Sequence, residues 1–226
     1  MVNVLIDYGH GGTDPGAVNG TRTEANDVLR LGKLITQQLR ENGVTVDETR
    51  QGNETVSLEN RVRQADKKAY DYFISLHRNA AANKDATGVE TFVWKKVLSP
   101  EFELATRVQK NLVNLGMKDR GVKEADFYVI RETFCPAILV EVGFISNAED
   151  NRFFDQKINQ IAHAIVTAIL DQLNIKSNAS THHTVKQGDT LYAISKQYGK
   201  TTKQLTEWNN LSDPNKIYPG QVLRVA

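Results

Sequence analysis

The chain has 226 residues, room for one full domain and a small second one. Its net charge of +1, with 24% charged and 40% hydrophobic residues, is ordinary for a globular protein and argues against a nucleic-acid binder. No stretch approaches the ~18 consecutive apolar residues of a membrane span, and a single cysteine excludes both an internal disulfide and a cysteine-rich zinc site.

Residues 2–8 (VNVLIDY) predict a strand that breaks into a flexible loop at Gly9-His10-Gly11-Gly12. The segment from Met1 to Ile6 reads as the start of that strand, because it has no basic leader followed by a small-residue cleavage site. The expectation is a chain without a leader of its own, or one from which a leader has been removed. The glycine-rich loop has a rival reading as a phosphate cradle, but it lacks the Lys-Ser/Thr ending and the G-x-G-x-x-G spacing. Thr23 is placed to cap a helix opening at Glu24, with Val28, Leu31, Leu34, Ile35 and Leu39 on its apolar face and Asn42-Gly43 as its stop.

The pattern then repeats. Residues 44–48 predict a strand, and 57–69 a helix capped by Ser57. Strands are expected at 72–77, ending at His77, at 88–94, near 127–130 and at 137–142, with Glu141 at the end of the last. Helices are expected from about Pro100 to Leu115, and through Ile158, Ile161, Ala162, Ile165 and Ile169. Alternating strands and helices imply an α/β fold: a layered domain with a mostly parallel central sheet flanked by helices. Functional groups in such sheets collect at the carboxyl ends of the strands. Cys135, before Pro136 and an apolar run, reads as a buried inert thiol, since no base stands beside it.

After Ile175 the composition changes. Residues 176–181 (KSNAST) form a short polar linker, and 182–226 carry a complete βααβ pattern of their own. A strand at His183-Thr184-Val185 turns through Gly188-Asp189-Thr190 into a helix with Leu191, Ile194 and Tyr198 on one face, ended by Gly199. Thr201 or Thr202 caps a second helix with Leu205 and Trp208, and a loop to Gly220 leads into a last strand. The aromatics Tyr192, Tyr198 and Trp208 read as core. This tail holds six Lys+Arg against three Asp+Glu, and Lys176 adds one more charge, so the first 175 residues carry −3. That excess is compatible with an anionic surface but specifies none.

Four residues carry the chemistry. His10 follows a strand, Glu24 opens a helix, and His77 and Glu141 end strands. Two histidines and a carboxylate are what a hydrolytic Zn²⁺ site needs when its fourth position is left to water, and a second carboxylate would carry the proton. The bland readings also stand. A histidine after a strand serves as a hydrogen-bonded loop residue, and a glutamate at a helix start complements the helix dipole. Glu141, after Ala137-Ile138-Leu139-Val140, is harder to explain structurally, since a buried carboxylate is costly unless paired or functional.

Residues 4–24 (VLIDYGHGGTDPGAVNGTRTE), 73–80 (FISLHRNA) and 136–147 (PAILVEVGFISN) resemble, in this order, three motifs of the zinc-dependent N-acetylmuramoyl-L-alanine amidases of the Amidase_3 type. The resemblance covers about residues 1–175. It implies Zn²⁺ held by His10, Glu24 and His77, Glu141 as catalytic acid/base, and Arg131 as a substrate contact. Tyr8 stands where that family often has proline or alanine, and Arg78 where it commonly has alanine, so both are expected to shape the cleft wall. The tail resembles a LysM module, which implies binding of N-acetylglucosamine-containing glycan by Gly188, Asp189, Thr190 and Leu191 and by a loop with Asn215, Ile217 and Tyr218.

Together these resemblances imply a peptidoglycan hydrolase acting as a monomer, with no nucleic-acid or membrane partner. The expected setting is a phage endolysin, held in the host cytoplasm until lysis and then acting on the wall; a secreted bacterial autolysin is the alternative. Two other functions fit the same residues: a non-catalytic wall-binding protein, and a zinc peptidase cutting within the peptide stem.

Overall fold

The computed structural model describes residues 2–176, 182–198 and 200–225. The linker beyond Lys176, and Gly199, therefore lie outside the described residues. The chain divides after Ile175 into two compact units.

In the larger unit, β1 (Asn3–Tyr8) leads through a loop bearing the short hairpin β2 (Val18–Asn19) and β3 (Arg22–Thr23) into α1 (Glu24–Glu41). β4 (Thr45–Glu48), α2 (Leu58–Ala65), β5 (Tyr72–Asn79) and β6 (Val89–Val93) follow. Then come α3 (Pro100–Asn114), β7 (Asp119–Glu124), α4 (Tyr128–Arg131), β8 (Ala137–Phe144) and α5 (Ala148–Gln172). Helix starts fall where side chains can satisfy free backbone donors. Thr23 caps α1, Ser57 caps α2 and Asn147 caps α5.

The strands form one six-stranded sheet in the order β4-β1-β5-β8-β6-β7. All neighbours are parallel except β6 and β8, which run antiparallel, so the expected mostly parallel sheet is present. Pleating sends alternate residues to opposite faces. Even-numbered Val4, Ile6, Tyr8, Ile74, Leu76, Ile138 and Val140 pack with α1, α3 and α5 in the main core. Odd-numbered Leu5, Phe73, Ala137 and Leu139 pack with Ala65 of α2 and with Val129 and Ile130 of α4 in a smaller core on the other face.

Two expectations need correction. Residues 127–130 are not a strand: Phe127 precedes the short helix α4. Val129 and Ile130 there meet the second core through a helical turn, and a short apolar run does not distinguish that from a strand. The strand of this region is β7, whose residues DRGVKE alternate too weakly to be noticed. β5 and β8 also continue past His77 and Glu141, to Asn79 and Phe144.

The second unit contains β9 (His182–Thr184), α6 (Leu191–Gln197), α7 (Thr202–Trp208) and β10 (Val222–Arg224), with β9 and β10 antiparallel. Thr190 caps α6, and Thr201 caps α7 in a reciprocal capping box with Gln204. Val185, Leu191, Ile194, Leu205, Leu223 and Val225 form its core, with Tyr198 and Trp208 packed against it. Tyr192 departs from expectation: it points to solvent, because it adjoins Leu191 and so lies off the buried helix face.

Candidate metal centre

On the α2/α4 face, the apolar layer of Leu5, Phe73 and Leu139 gives way toward the carboxyl ends of the strands to Asp7, Ser75, His77 and Glu141. Asp7 is in register with Ser75 on β5, and His77 with Glu141 on β8. Sheet register therefore brings one expected ligand beside the expected proton carrier.

His10 reaches the same place from the loop after β1. Its backbone is left-handed, at φ 60°, which is unfavourable for a residue with a Cβ. Two buried arginines hold it there. Arg50 donates to the carbonyls of Tyr8, Gly9 and Ala25 at 2.9, 3.0 and 2.7 Å. Arg61 of α2 donates to the carbonyls of Tyr8 and His10, both at 2.7 Å. Arg61 is anchored by the buried Asp7 carboxylate, which also accepts from Thr49 at 2.7 Å and Ser75 at 2.6 Å.

Glu24, buried at the first position of α1, joins the two imidazoles. Its Oε1 lies 3.2 Å from His10 Nε2 and 2.9 Å from His77 Nδ1, and accepts from the backbone N–H of Arg78 at 2.9 Å. Its Oε2 accepts from Ala17 N–H at 2.9 Å. The other nitrogen of His10, Nδ1, lies 2.8 Å from Asp14, which fixes the ring with Nε2 facing Glu24. Close approach requires two glycines. A Cβ on Gly9 would collide with the His77 ring, and one on Gly16 would come within 2.7 Å of both Glu24 Oε2 and His10.

These residues fit a zinc ion. One ligand atom from each of His10, Glu24 and His77 lies within 4.8 Å of the others. Tetrahedral ligands with bonds of about 2.0–2.1 Å stand about 3.3 Å apart, so small movements would close the set. Two nitrogens and one oxygen are also the donor types of hydrolytic zinc sites. The electrostatics agree. Burial would raise the Glu24 carboxyl, but the two imidazoles outweigh it and hold the group far below its ordinary range. Burial would lower His10, but Glu24 and Asp14 push it up to about 9. The carboxylates and imidazoles thus stabilise one another's charged forms, and metal binding would displace the imidazole protons.

Glu141 is different. Its Oε2 is buried with no hydrogen-bond partner among the described residues. Burial, reinforced by Glu24 and Glu90, pushes its carboxyl up to about 7 against the opposing pull of His77. Glu90 stands across from Glu141 on β6, paired with Arg120 and Lys123 and accepting a hydrogen bond from the Asn79 amide.

Two cavities meet at the histidines. The larger, about 320 Å³, reaches Glu24 and Glu141 and is walled by Phe127 and Tyr128. The smaller, about 210 Å³, runs toward Thr55, Ser57 and Asp14.

The remaining sequence expectations are placed as follows. Arg131 lies on α4 with its guanidinium engaged by Asp126 and by Glu132 at 2.6 Å, and it lines neither cavity. The two carboxylates raise its pKa further. Tyr8 and Arg78 do not put side chains on the cleft wall. As even-numbered neighbours of odd-numbered site residues, they point through the sheet to the other side. The Tyr8 ring packs over Gly32, with its hydroxyl bonded to Thr36 at 2.8 Å and Glu48 at 2.6 Å. Arg78 pairs with Asp27, bonds Asn151 at 2.8 Å and lies over Phe154 at 4.3 Å. Cys135 is partly buried at the second core, and burial pushes its thiol up to about 11, as suits an inert group.

In the second unit, Gly188, Asp189 and Thr190 form one turn, which Asp189 ties to His183 at 2.7 Å and to Lys186 N–H at 2.8 Å. Leu191 is only 3% exposed, so its side chain is core and offers nothing to a groove. Ile217 packs partly against the same core, Asn215 is exposed, and Tyr218 is 65% exposed.

Sequence reasoning missed Asp7, Asp14, Arg50 and Arg61. The signal for Asp7 was present: an acid inside the apolar run VLIDY requires a buried partner.

Residues 4–171 match the family model described as N-acetylmuramoyl-L-alanine amidase, and residues 183–226 match that of the LysM domain. The chain is 32% identical over 193 residues to the N-acetylmuramoyl-L-alanine amidase CwlM of Bacillus licheniformis, covering 82% of this chain and 74% of that one. The larger unit is similar to the catalytic domain of CwlV from Bacillus (Paenibacillus) polymyxa, with a TM-score of 0.73, 32% identity, and coverage of 78% of this chain and 100% of that one. It is equally similar to an N-acetylmuramoyl-L-alanine amidase of Clostridium difficile 630, with a TM-score of 0.73, 34% identity, and coverage of 77% and 98%.

Proposed function

Because the chain belongs to the N-acetylmuramoyl-L-alanine amidase family, matched over residues 4–171, we propose that His10, Glu24, His77 and Glu141 cut peptidoglycan by zinc-assisted hydrolysis. The bond cut is the amide between the lactyl group of N-acetylmuramic acid and L-alanine.

His10, Glu24 and His77 hold the ion, and Asp14 orients His10. When bound, Zn²⁺ supplies Lewis acidity: it polarises the scissile carbonyl and eases deprotonation of water near neutral pH. Glu141 takes a proton from the attacking water and delivers it to the departing nitrogen. The acyl–nitrogen bond breaks, leaving a lactyl carboxylate and a free alanine amine. The observation that carries this role is the buried Oε2 of Glu141, without a hydrogen-bond partner among the described residues, on a carboxyl in register with His77. A carboxyl with an unengaged oxygen can both accept and return a proton.

The C-terminal unit, matched to LysM over residues 183–226, binds glycan and holds the enzyme on its polymeric substrate. The relatives named above come from bacteria, and the catalytic domain of the CD27L endolysin has the same fold, so the phage endolysin stays the proposed setting and a secreted bacterial autolysin the alternative. A reading frame lying inside a prophage would support the endolysin, and one outside it the autolysin.

The deciding experiment is digestion of purified walls, with and without chelator, followed by product analysis. New L-alanine amino termini together with peptide-free glycan are expected, and chelator should abolish both. Other new amino termini would make the enzyme a stem peptidase, and no new termini would leave a wall-binding protein.

A further inference from the structure

We infer that the cleft is directional: the peptide stem lies in the larger cavity against Phe127 and Tyr128, and the muramyl acyl group lies in the smaller one. The inference rests on the proposed role of Glu141 and adds which side of the site each half of the substrate occupies.

The argument starts from where the proton must go. An amide nitrogen leaves only when protonated, and the group that protonates it must be within hydrogen-bond reach. Glu141 borders the larger cavity and not the smaller. The departing nitrogen, and the stem attached to it, therefore point into the larger cavity. The carbonyl carbon lies at the metal triad, where His10 and His77 border both cavities. Its lactyl and sugar substituents leave on the other side, into the smaller cavity.

The lining of the larger cavity agrees with this division. Beyond the triad and Glu141, the larger cavity is closed by exposed aromatic surface from the start of α4. Phe127 is 39% exposed, although its ring stacks edge-on against Phe92 at 5.2 Å. Solvent-facing aromatic area at a cleft wall is suited to the apolar parts of a stem beyond its first alanine. The smaller cavity is bordered by Thr55, Ser57 and Asp14, whose oxygens already bond Thr13, Asn60, and His10 and Gly16, so the aromatic wall of the larger cavity is what distinguishes the two. Leu58, 51% exposed, and Val129 border both and form the partition. Phe127 and Tyr128 are thus specificity-determining residues for the stem.

The test uses the full chain with zinc and three soluble substrates: N-acetylmuramoyl-L-alanine, N-acetylmuramoyl-pentapeptide, and the lactoyl-pentapeptide without its sugar ring. Phe127→Ala and Tyr128→Ala are each compared with wild type. Each substitution should raise KM about tenfold for both pentapeptide substrates, about 1.4 kcal/mol, with kcat little changed. N-acetylmuramoyl-L-alanine should be affected less than twofold. Inhibition by free pentapeptide should weaken by the same factor as KM rises. Losses that follow the sugar instead of the stem, in both variants, would overturn the assignment. Wild-type products separate this from the underlying reading. If wild type frees no alanine amine, the amidase mechanism fails and the orientation falls with it. If it does and the losses track the sugar, only the orientation fails. Circular dichroism of each variant, with Phe127→Leu as a milder second substitution, keeps misfolding from imitating either result.

Discussion

Arg61 donates from Nη2 to the carbonyl oxygen of His10 at 2.7 Å, joining helix α2 to the loop that presents the first metal ligand. The same guanidinium is fixed by Asp7 on the neighbouring strand. The left-handed conformation of His10 is thus imposed by a buried ion pair, with Arg50 bonding the two preceding carbonyls. Breaking one side of such a pair leaves an uncompensated buried charge.

Arg61→Ala should therefore destabilise the protein by roughly 3–5 kcal/mol and weaken zinc binding as well. Asp7→Asn should cost less in the Arg61→Ala background than in wild type, because the two residues are coupled. Urea unfolding of the four proteins measures this. Additive losses would show that the pair does not act as a unit.

Acid stability should depend on the same carboxylate. Burial alone would raise Asp7, but the Arg61 charge and the hydroxyls of Ser75 and Thr49 outweigh it and hold the carboxyl below its ordinary 3.8. A depressed folded pKa stabilises above the unfolded value, and that stability is lost as pH falls through the folded one. The contribution is full at neutral pH and declines below about pH 4. Asp7→Asn should thus differ most from wild type near neutrality, with the gap closing toward acid. A gap that widens on acidification would contradict the sign.

Glu141→Gln keeps the shape of the side chain and removes its proton-carrying ability. Turnover should fall by about 10²–10⁴-fold, with zinc content and KM close to wild type. Metal analysis beside wall-digestion rates checks both halves. Loss of zinc along with activity would make Glu141 part of the metal site instead.

The architecture was legible because its signals are local, whereas His10, Glu24, His77 and Glu141 were singled out from their bland readings by the three motifs that resemble the family. Apolar runs marked β1, β5 and β8, and Thr23 marked the start of α1. The support around His10 was not legible, because Arg50 reaches Gly9 across 41 residues of chain and Arg61 reaches His10 across 51. Tyr8 and Arg78 show a different limit. Their departure from the family's usual residues suggested the cleft wall, whereas strand pleat sends alternate side chains to opposite faces. Residues 127–130 were misread since four apolar residues fit a helical turn as well as a strand.

Removing the metal should silence the enzyme without unfolding it. Glu24 lies 3.2 Å from His10 and 2.9 Å from His77, so one carboxylate links both imidazoles across the site. The core on either side of the sheet involves none of these residues. Chelated protein should keep its circular dichroism spectrum, lose hydrolysis, and regain it on adding zinc. Glu24→Ala should not be rescued by zinc, and it should be less stable than the chelated wild type because the link between the imidazoles is lost. Unfolding of the wild type on chelation would mean that the ion, rather than the packed sheet, holds the domain together.

Deleting residues 176–226 should separate binding from chemistry. The larger unit keeps its own sheet and both cores, so its site should survive the deletion. Loss of the tail removes the tether, which acts through effective concentration and not through the barrier. Lysis of intact walls at dilute enzyme should fall on the order of 10²-fold, while hydrolysis of a small soluble muropeptide stays within about twofold. A milder variant locates the effect. Asp189→Ala removes the anchor that ties the turn to His183 and to the backbone N–H of Lys186, so wall binding should weaken without loss of the catalytic unit. Co-sedimentation with insoluble walls reads binding, and release of soluble product reads catalysis. Equal losses on soluble and insoluble substrates would place the tail in the reaction itself.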